Sequence, residues 1–147
     1  MSLLENKKSY FDYEVLEKFE AGLELQGWEV KSLRNGKGSL IGSHAIIRGG
    51  EAYLVGMEVQ AYQAKNMPAN AETNRTIKLL MKKKEIRYLD GKTGTRGLTL
   101  VSIKLYNKSG KIKLELGLAK GKKAHDKREK IKKRETSRNM QRILKSE

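Results

Sequence analysis

The sequence predicts a mainly β protein: a small oligonucleotide-binding-like β-barrel with short flanking helices and a basic C-terminal tail that is disordered in isolation. Three observations lead there. Apolar and polar residues alternate with a period of two in several stretches, glycine-rich turn signals separate those stretches, and the composition changes abruptly near Lys120. From Lys120 to Glu147 there are twelve basic and four acidic residues and no Phe, Tyr or Trp, whereas residues 1–119 hold twenty basic and thirteen acidic ones. The core is therefore expected within residues 1–119, and residues 120–147 form a tail too charged to pack.

Taken in order, Tyr13, Val15, Phe19, Ala21, Leu23 and Leu25 share one parity while Glu14, Lys18, Glu20 and Glu24 share the other, which is the signature of a half-buried strand with a weak point at Gly22. Trp28–Asn35 carries Val30 and Leu33 three apart and ends at Gly36, suiting a two-turn helix. Residues 43–48 and 51–59 flank Gly49-Gly50, a pair able to form a tight primed turn, and predict a hairpin. Thr76–Leu89 places Ile77, Leu80, Ile86 and Leu89 near one side and is followed by Asp90-Gly91, which predicts a second helix. Leu98–Tyr106 and Lys111–Leu118 form another hairpin around Asn107–Gly110. Segments 60–75 and 92–97 are expected to be loops. Many short strands with turn signals and only two short helices favour a closed barrel over a sandwich.

The formal charge of +15, from 32 Lys and Arg against 17 Asp and Glu, implies a polyanionic partner. With no cysteine and only His44 and His125, the chain is expected to bind no metal and to need no cofactor. Gly91-Lys92-Thr93 imitates the end of a phosphate-binding loop, but Ile86 stands where the earlier glycine belongs, and Gly36-x-Gly38 misses the dinucleotide-binding spacing. Acidic residues are scattered, so a two-metal nuclease finds no support and the chain is expected not to be an enzyme. Only two leucines precede Glu5, short of the apolar run of a secretory signal, and no stretch approaches the ~18 apolar residues of a membrane span. A cytoplasmic protein without membrane contact is the expectation.

The tail opens with a flexible Gly121-Lys122-Lys123, and Asp126-Lys127-Arg128-Glu129 is a variant capping box at which a helix could start. Ile131 and Met140 stand nine residues apart, on opposite sides of an ideal helix, so no apolar stripe docks the tail on the barrel. It is expected to become helical only against a partner that neutralises its charge.

The run Asn6-Lys7-Lys8, then Phe19-Glu20-Ala21-Gly22, Gly27 to Arg34 (GWEVKSLR), Thr76 to Leu80, Gly97 to Val101 and Ala119 to Arg128 resembles, in this order and spacing, the family of SsrA-binding proteins (small protein B) of bacterial trans-translation. The resemblance covers almost the whole chain. It implies an oligonucleotide-binding-like barrel that binds the tRNA-like domain of transfer-messenger RNA and delivers it, indirectly together with elongation factor Tu, to stalled ribosomes. The tail is implied to enter the vacant mRNA channel and to fold as a helix near the decoding centre. Asn6, Glu20, Leu80 and Lys113 match family positions tied to RNA binding, with Lys7 and Lys8 in the same run as Asn6. Lys31, Arg34, Lys78 and Lys113 are the expected backbone contacts, and Glu20 is expected to orient a cation or to accept from a base or 2′-hydroxyl. In the tail, Asp126, Lys127, Arg128, Ile143, Leu144 and Lys145 match positions tied to function on the ribosome, and Lys122, Lys123 and His125 are expected to contact RNA beside them. Tyr10-Phe11, Ile77 and Ser102 depart from the Arg-His pair, the arginine and the proline common in the family. The chain is expected to be a monomer; the competing reading is a ribosomal-type rRNA-binding protein.

Overall fold

The computed structural model describes residues 2–61, 72–95 and 97–121. In chain order these form β1 (Ser2–Glu5), α1 (Lys8–Asp12), β2 (Tyr13–Leu23), α2 (Gly27–Arg34), β3 (Gly38–Ser39), β4 (His44–Arg48), β5 (Glu51–Val55), β6 (Glu58–Val59), β7 (Ile77–Leu80), α3 (Lys83–Thr95), β8 (Thr99–Lys108) and β9 (Lys111–Gly121). Strands β8, β4, β5, β7, β2 and β9 follow one another by antiparallel pairing, and β9 pairs back onto β8. Six strands thus close a ring, which leaves no long edge open among the described residues. β8 is long enough to take β4 at Leu100 and Val101 and β1 at Lys104 to Tyr106 on the same side. β3 and β6 form a separate two-stranded sheet.

The inside of the ring is filled by alternate residues: Leu114, Leu116 and Leu118 from β9, Leu100 and Leu105 from β8, Leu54 from β5 and Ile77 and Leu79 from β7. Leu33 of α2 and Ile86 and Leu89 of α3 join the same core. Bulges between Val15 and Glu17 in β2 and between Ser102 and Lys104 in β8 reset the alternation. That is how Leu100 and Leu105, of opposite parity, both reach the core, and why Leu16 is half exposed on a strand otherwise paired along its length.

Both predicted hairpins form, but the strand expected over 51–59 stops at Val55: Gly56 takes φ +90° and Glu58–Val59 joins the separate sheet with β3. Gly49 and Gly50 (φ +59° and +78°) connect β4 to β5 in a two-residue turn that requires the left-handed region at both positions, and Ser109-Gly110 does the same between β8 and β9. The second turn is shorter than the expected Asn107–Gly110, because Asn107 and Lys108 remain paired with Ile112 and Lys111. The helix expected at 28–35 is α2, closed by Gly36 at φ +70°.

The helix expected over Thr76–Leu89 is corrected to a strand and a helix. Ile77 and Leu79 are buried while Leu80 is exposed, and Leu79 pairs with both Ala52 and Leu23, so β7 supplies the pairing partner that β5 and β2 each lack on one side. Sheet closure outweighs the coincidence that Ile77 and Leu80 stand three apart. The helix begins only at Lys83, where Lys82 N donates to Glu85 Oε1 (3.4 Å). It then runs through Asp90-Gly91 to Thr95, so most of the expected loop 92–97 is helical. β1, α1 and β3 carry no sequence signal strong enough to have been expected. Positions 62–71 of the expected loop 60–75 lie outside the described residues.

Candidate nucleic-acid interface

Because side chains alternate along a strand, filling the ring with one parity of β7, β2 and β9 leaves the other parity on the outer surface. That outer face presents Lys78 and Leu80 from β7, Lys18, Glu20 and Gly22 from β2, and Lys113 and Glu115 from β9; Lys104, Tyr106 and Lys108 continue it on β8. Gly22 is paired with Leu80 on one side and Lys113 on the other. A Cβ at position 22 would lie 3.3 Å from Leu80 Cβ and 3.5 Å from Lys113 Nζ, so the glycine is what lets these two side chains close over the strand. The weak point read in the strand is the floor of a groove.

Two adjoining depressions share Gly22, Leu80 and Lys113. One, of about 270 Å³, is bounded by Arg34, Gly110 and Lys111. The other, of about 440 Å³, is bounded by Glu20, Glu51, Lys78 and Lys82. Leu80 stands between them, 54% exposed, an apolar side chain among the cations Arg34, Lys78, Lys82, Lys111 and Lys113 and the carboxylates Glu20, Glu51 and Glu85. The fold therefore gathers Glu20, Arg34, Lys78, Leu80 and Lys113, drawn from β2, α2, β7 and β9, around one surface. Lys78 Nζ lies 3.8 Å from Glu51, and Arg34 donates from one guanidinium nitrogen to Gly110 O (2.9 Å), tying α2 to the β8–β9 turn.

On this face Glu20 is held by several donors. Tyr106 Oη donates to Glu20 Oε2, and Lys108 Nζ donates to both carboxylate oxygens at 3.1 and 3.2 Å. These donors, the phenol foremost, hold the Glu20 carboxyl below the usual range, while burial and the facing carboxylate push the Tyr106 phenol far above its own. Near neutral pH Tyr106 is thus a protonated donor facing an ionised acceptor.

Lys31 is exposed on α2 one turn before Arg34. Lys7 and Lys8 are exposed at the start of α1; Lys7 lines a different cleft with Tyr10, Lys18 and Lys104, and Lys8 lines another with Tyr13 and His44. Tyr10 is 41% exposed, with Lys18 Nζ 5.8 Å from its ring centre. Asn6, in the same run as Lys7 and Lys8, is buried. It is 5% exposed, and its side-chain amide donates to Ser102 O (3.0 Å) and Leu40 O (3.2 Å). Its backbone carbonyl accepts from Ser9 Oγ at 2.7 Å. An asparagine spent in this way orients the turn that carries Lys7 and Lys8 instead of reaching solvent. Lys122, Lys123, His125, Asp126, Lys127, Arg128, Ile143, Leu144 and Lys145 lie outside the described residues.

Several members of the face escaped the sequence reading. Tyr106, Lys108 and Lys111 follow the strand alternation of β8 and β9 once the bulge is known, and Lys82 had been assigned to a helix. Glu29, 1% exposed on its side chain, accepts from Gln26 N (2.7 Å) in a capping box and from Arg75 Nε (3.0 Å) and Nη2 (2.7 Å). Arg75 also donates to Glu24 O at 2.9 Å. No local signal connects residues 46 apart. Among the described residues, no group of three or more His, Asp or Glu is placed to hold a metal ion, and no helix is long and apolar enough to cross a membrane.

Comparison with known proteins adds a lineage to this surface. Residues 3–146 match the family model described as SmpB protein. The SsrA-binding protein of Polaromonas sp. (strain JS666 / ATCC BAA-500) is 47% identical over 146 residues, covering 99% of this chain and 98% of that one. Its namesake from Syntrophobacter fumaroxidans is 49% identical over 143 residues, covering 97% and 88%. A solved structure described as "tmRNA-SmpB: a journey to the center of the bacterial ribosome" contains a chain 49% identical to this one, with a TM-score of 0.67 over 82% of this chain and 85% of that one. A match spanning nearly every residue, at almost half identity and with the same barrel, makes the chain a member of the SmpB protein family.

Proposed function

We propose that the chain is an RNA-binding adaptor that holds the tRNA-like domain of transfer-messenger RNA on the outer face of β7, β2 and β9 and carries it to stalled ribosomes for trans-translation. The observation that carries this reading is the surface around Leu80: an exposed leucine over Gly22, with Glu20 on one flank and Arg34, Lys78 and Lys113 around it, in a member of the SmpB family. The cations neutralise phosphates and release counterions, the leucine offers an apolar rest for an unstacked base, and the carboxylate accepts a base N–H or a 2′-hydroxyl. Nothing in this chemistry makes or breaks a covalent bond, so the reading gives the chain no reaction of its own and needs no cofactor.

The relatives' names and the tmRNA-SmpB ribosome structure support the same partners for this chain, the RNA and the ribosome. The division of labour belongs to the proposal: Lys120 and Gly121, expected in the tail, pair on β9 with Glu14 and Tyr13, so residues up to Gly121 bind the RNA, and the segment after Gly121 enters the mRNA channel of the small subunit and reaches the decoding centre. Elongation factor Tu then acts through the RNA, and the chain works as a cytoplasmic monomer. Sequencing the RNA that copurifies with the tagged full chain tests the reading. One tRNA-ended species is expected; a mixture of ribosomal RNA fragments in its place would make the chain a ribosomal-type binder.

A further inference from the structure

We propose that Tyr106 is a positioning residue of the RNA site, which fixes the Glu20 carboxylate as a ready-made acceptor for an N–H or hydroxyl donor of the RNA. The inference rests on the function proposed above. Its starting point is an unfavourable placement: Glu20 on β2 stands directly opposite Glu115 on β9. Like charges facing each other across two strands cost stability, and nothing in the barrel's packing requires a carboxylate at position 20, which points away from the core. The two carboxylates are kept apart by separate sets of donors. Glu115 is held by Lys18 and Lys104, each at 3.5 Å. Glu20 is held by Tyr106 and Lys108.

The donor count decides what is left for a ligand. A carboxylate has about four acceptor positions. Among the described residues, Glu20 Oε2 receives the phenol and the ammonium, whereas Oε1 receives the ammonium alone. One acceptor position on Oε1 therefore stays open beside the groove that holds Leu80 and Lys113. The phenol is itself anchored: Tyr106 is paired with Lys113 across β8 and β9, and Lys104 Nζ lies 5.7 Å from its ring centre. Lys108 is a long, exposed side chain that offsets charge but imposes little direction. The rigid phenol, donating to one oxygen, selects the rotamer. An exposed glutamate would otherwise lose side-chain freedom on binding, a cost that corresponds to roughly threefold to tenfold in affinity. Tyr106 removes that cost before the RNA arrives.

The test is a double-mutant cycle on the full chain, with a transcript of the tRNA-like domain as probe and affinity read by fluorescence anisotropy across a salt series. Tyr106→Phe keeps the ring and removes only the donor. It should weaken binding about threefold to tenfold with an unchanged salt slope, because no phosphate contact is lost. In a Glu20→Ala background, which leaves no acceptor for the phenol, the same substitution should change affinity less than twofold, and a purely structural role would not produce that coupling. Equal losses in both backgrounds, or no loss in the Glu20 background, would overturn the proposal. Urea midpoints separate the structural case, in which Tyr106→Phe lowers stability alike with and without Glu20. A wild-type chain that fails to bind the transcript overturns the function reading itself, and is distinguishable from failure of the cycle.

Discussion

Glu20 and Gly22 sit two positions apart on β2 and illustrate how much a single residue contributes to the face. The Tyr106 phenol and Lys108 hold Glu20 below its ordinary value of 4.5. The ionised form is therefore favoured by the folded state above that value, and the contribution is lost as pH falls through the lower, folded value. Well above the ordinary carboxylate range, between about pH 6 and 8, the carboxylate stays ionised, so RNA affinity in that window should contain no step due to Glu20. A step near neutrality that Glu20→Gln abolishes would show the opposite. At Gly22 the prediction is steric. Gly22→Val should displace Leu80 and Lys113, lowering affinity for the tRNA-like RNA by tenfold or more and stability by about 1–3 kcal/mol, with Gly22→Ala milder in both. Anisotropy and urea unfolding read the two effects separately. Family resemblance singled out Glu20 and Leu80 in the sequence, but the reason they meet was not legible there. It lies in Gly22, whose missing side chain matters only once β7 and β9 are known to flank it.

Among the elements, α2 shows most clearly what a sequence does and does not expose. Its extent follows from Val30, Leu33 and Gly36, and Glu29 in the first turn complements the helix dipole. Its anchorage does not, because Arg75 arrives from the far side of the 60–75 segment to grip Glu29 with two nitrogens while donating to Glu24 O. At the other end Arg34 reaches the β8–β9 turn. α2 is thereby pinned at both ends, and its angle sets where Arg34 stands relative to Lys113. Arg75→Met should leave the Glu29 carboxylate buried and unpaired at a cost of roughly 3 kcal/mol, the low end for breaking a buried pair because Arg75 keeps 24% of its side chain exposed. Adding Glu29→Gln should recover part of that loss in urea unfolding; equal stability of the single and double variants would show that the pair is not the source. β7 is the complementary case. Its four residues, Ile77–Leu80, are too few to display a period, and their partners lie in β5 and β2, so helical spacing carried on into Ile86 and Leu89 misled the reading.

For the whole molecule, the decisive quantity is how charge and apolar surface divide along the chain. Every buried apolar side chain among the described residues lies at or before Ala119, and β9 completes the ring by pairing Glu14 with Lys120 and Tyr13 with Gly121. Residues 122–147 contain eleven basic and four acidic residues, with Ile131, Met140, Ile143 and Leu144 the only large apolar side chains. Ending the chain at Gly121 should therefore leave the cooperative unfolding transition within about 0.5 kcal/mol of the full protein. RNA affinity should fall only by the nonspecific electrostatic share of the lost cations, most of it at low salt. Tagging of stalled peptides in a reconstituted translation system should nevertheless disappear, because the lost segment is the one proposed to occupy the mRNA channel. A single substitution sharpens the point. In a helix formed inside that channel, proline at an interior position costs about 3 kcal/mol, so Ile131→Pro should reduce tagging more than a hundredfold while affinity for the tRNA-like RNA stays unchanged. Wild-type tagging by Ile131→Pro would exclude a helix there, and a collapse of RNA affinity would place the segment in the primary RNA site and refute the division after Gly121.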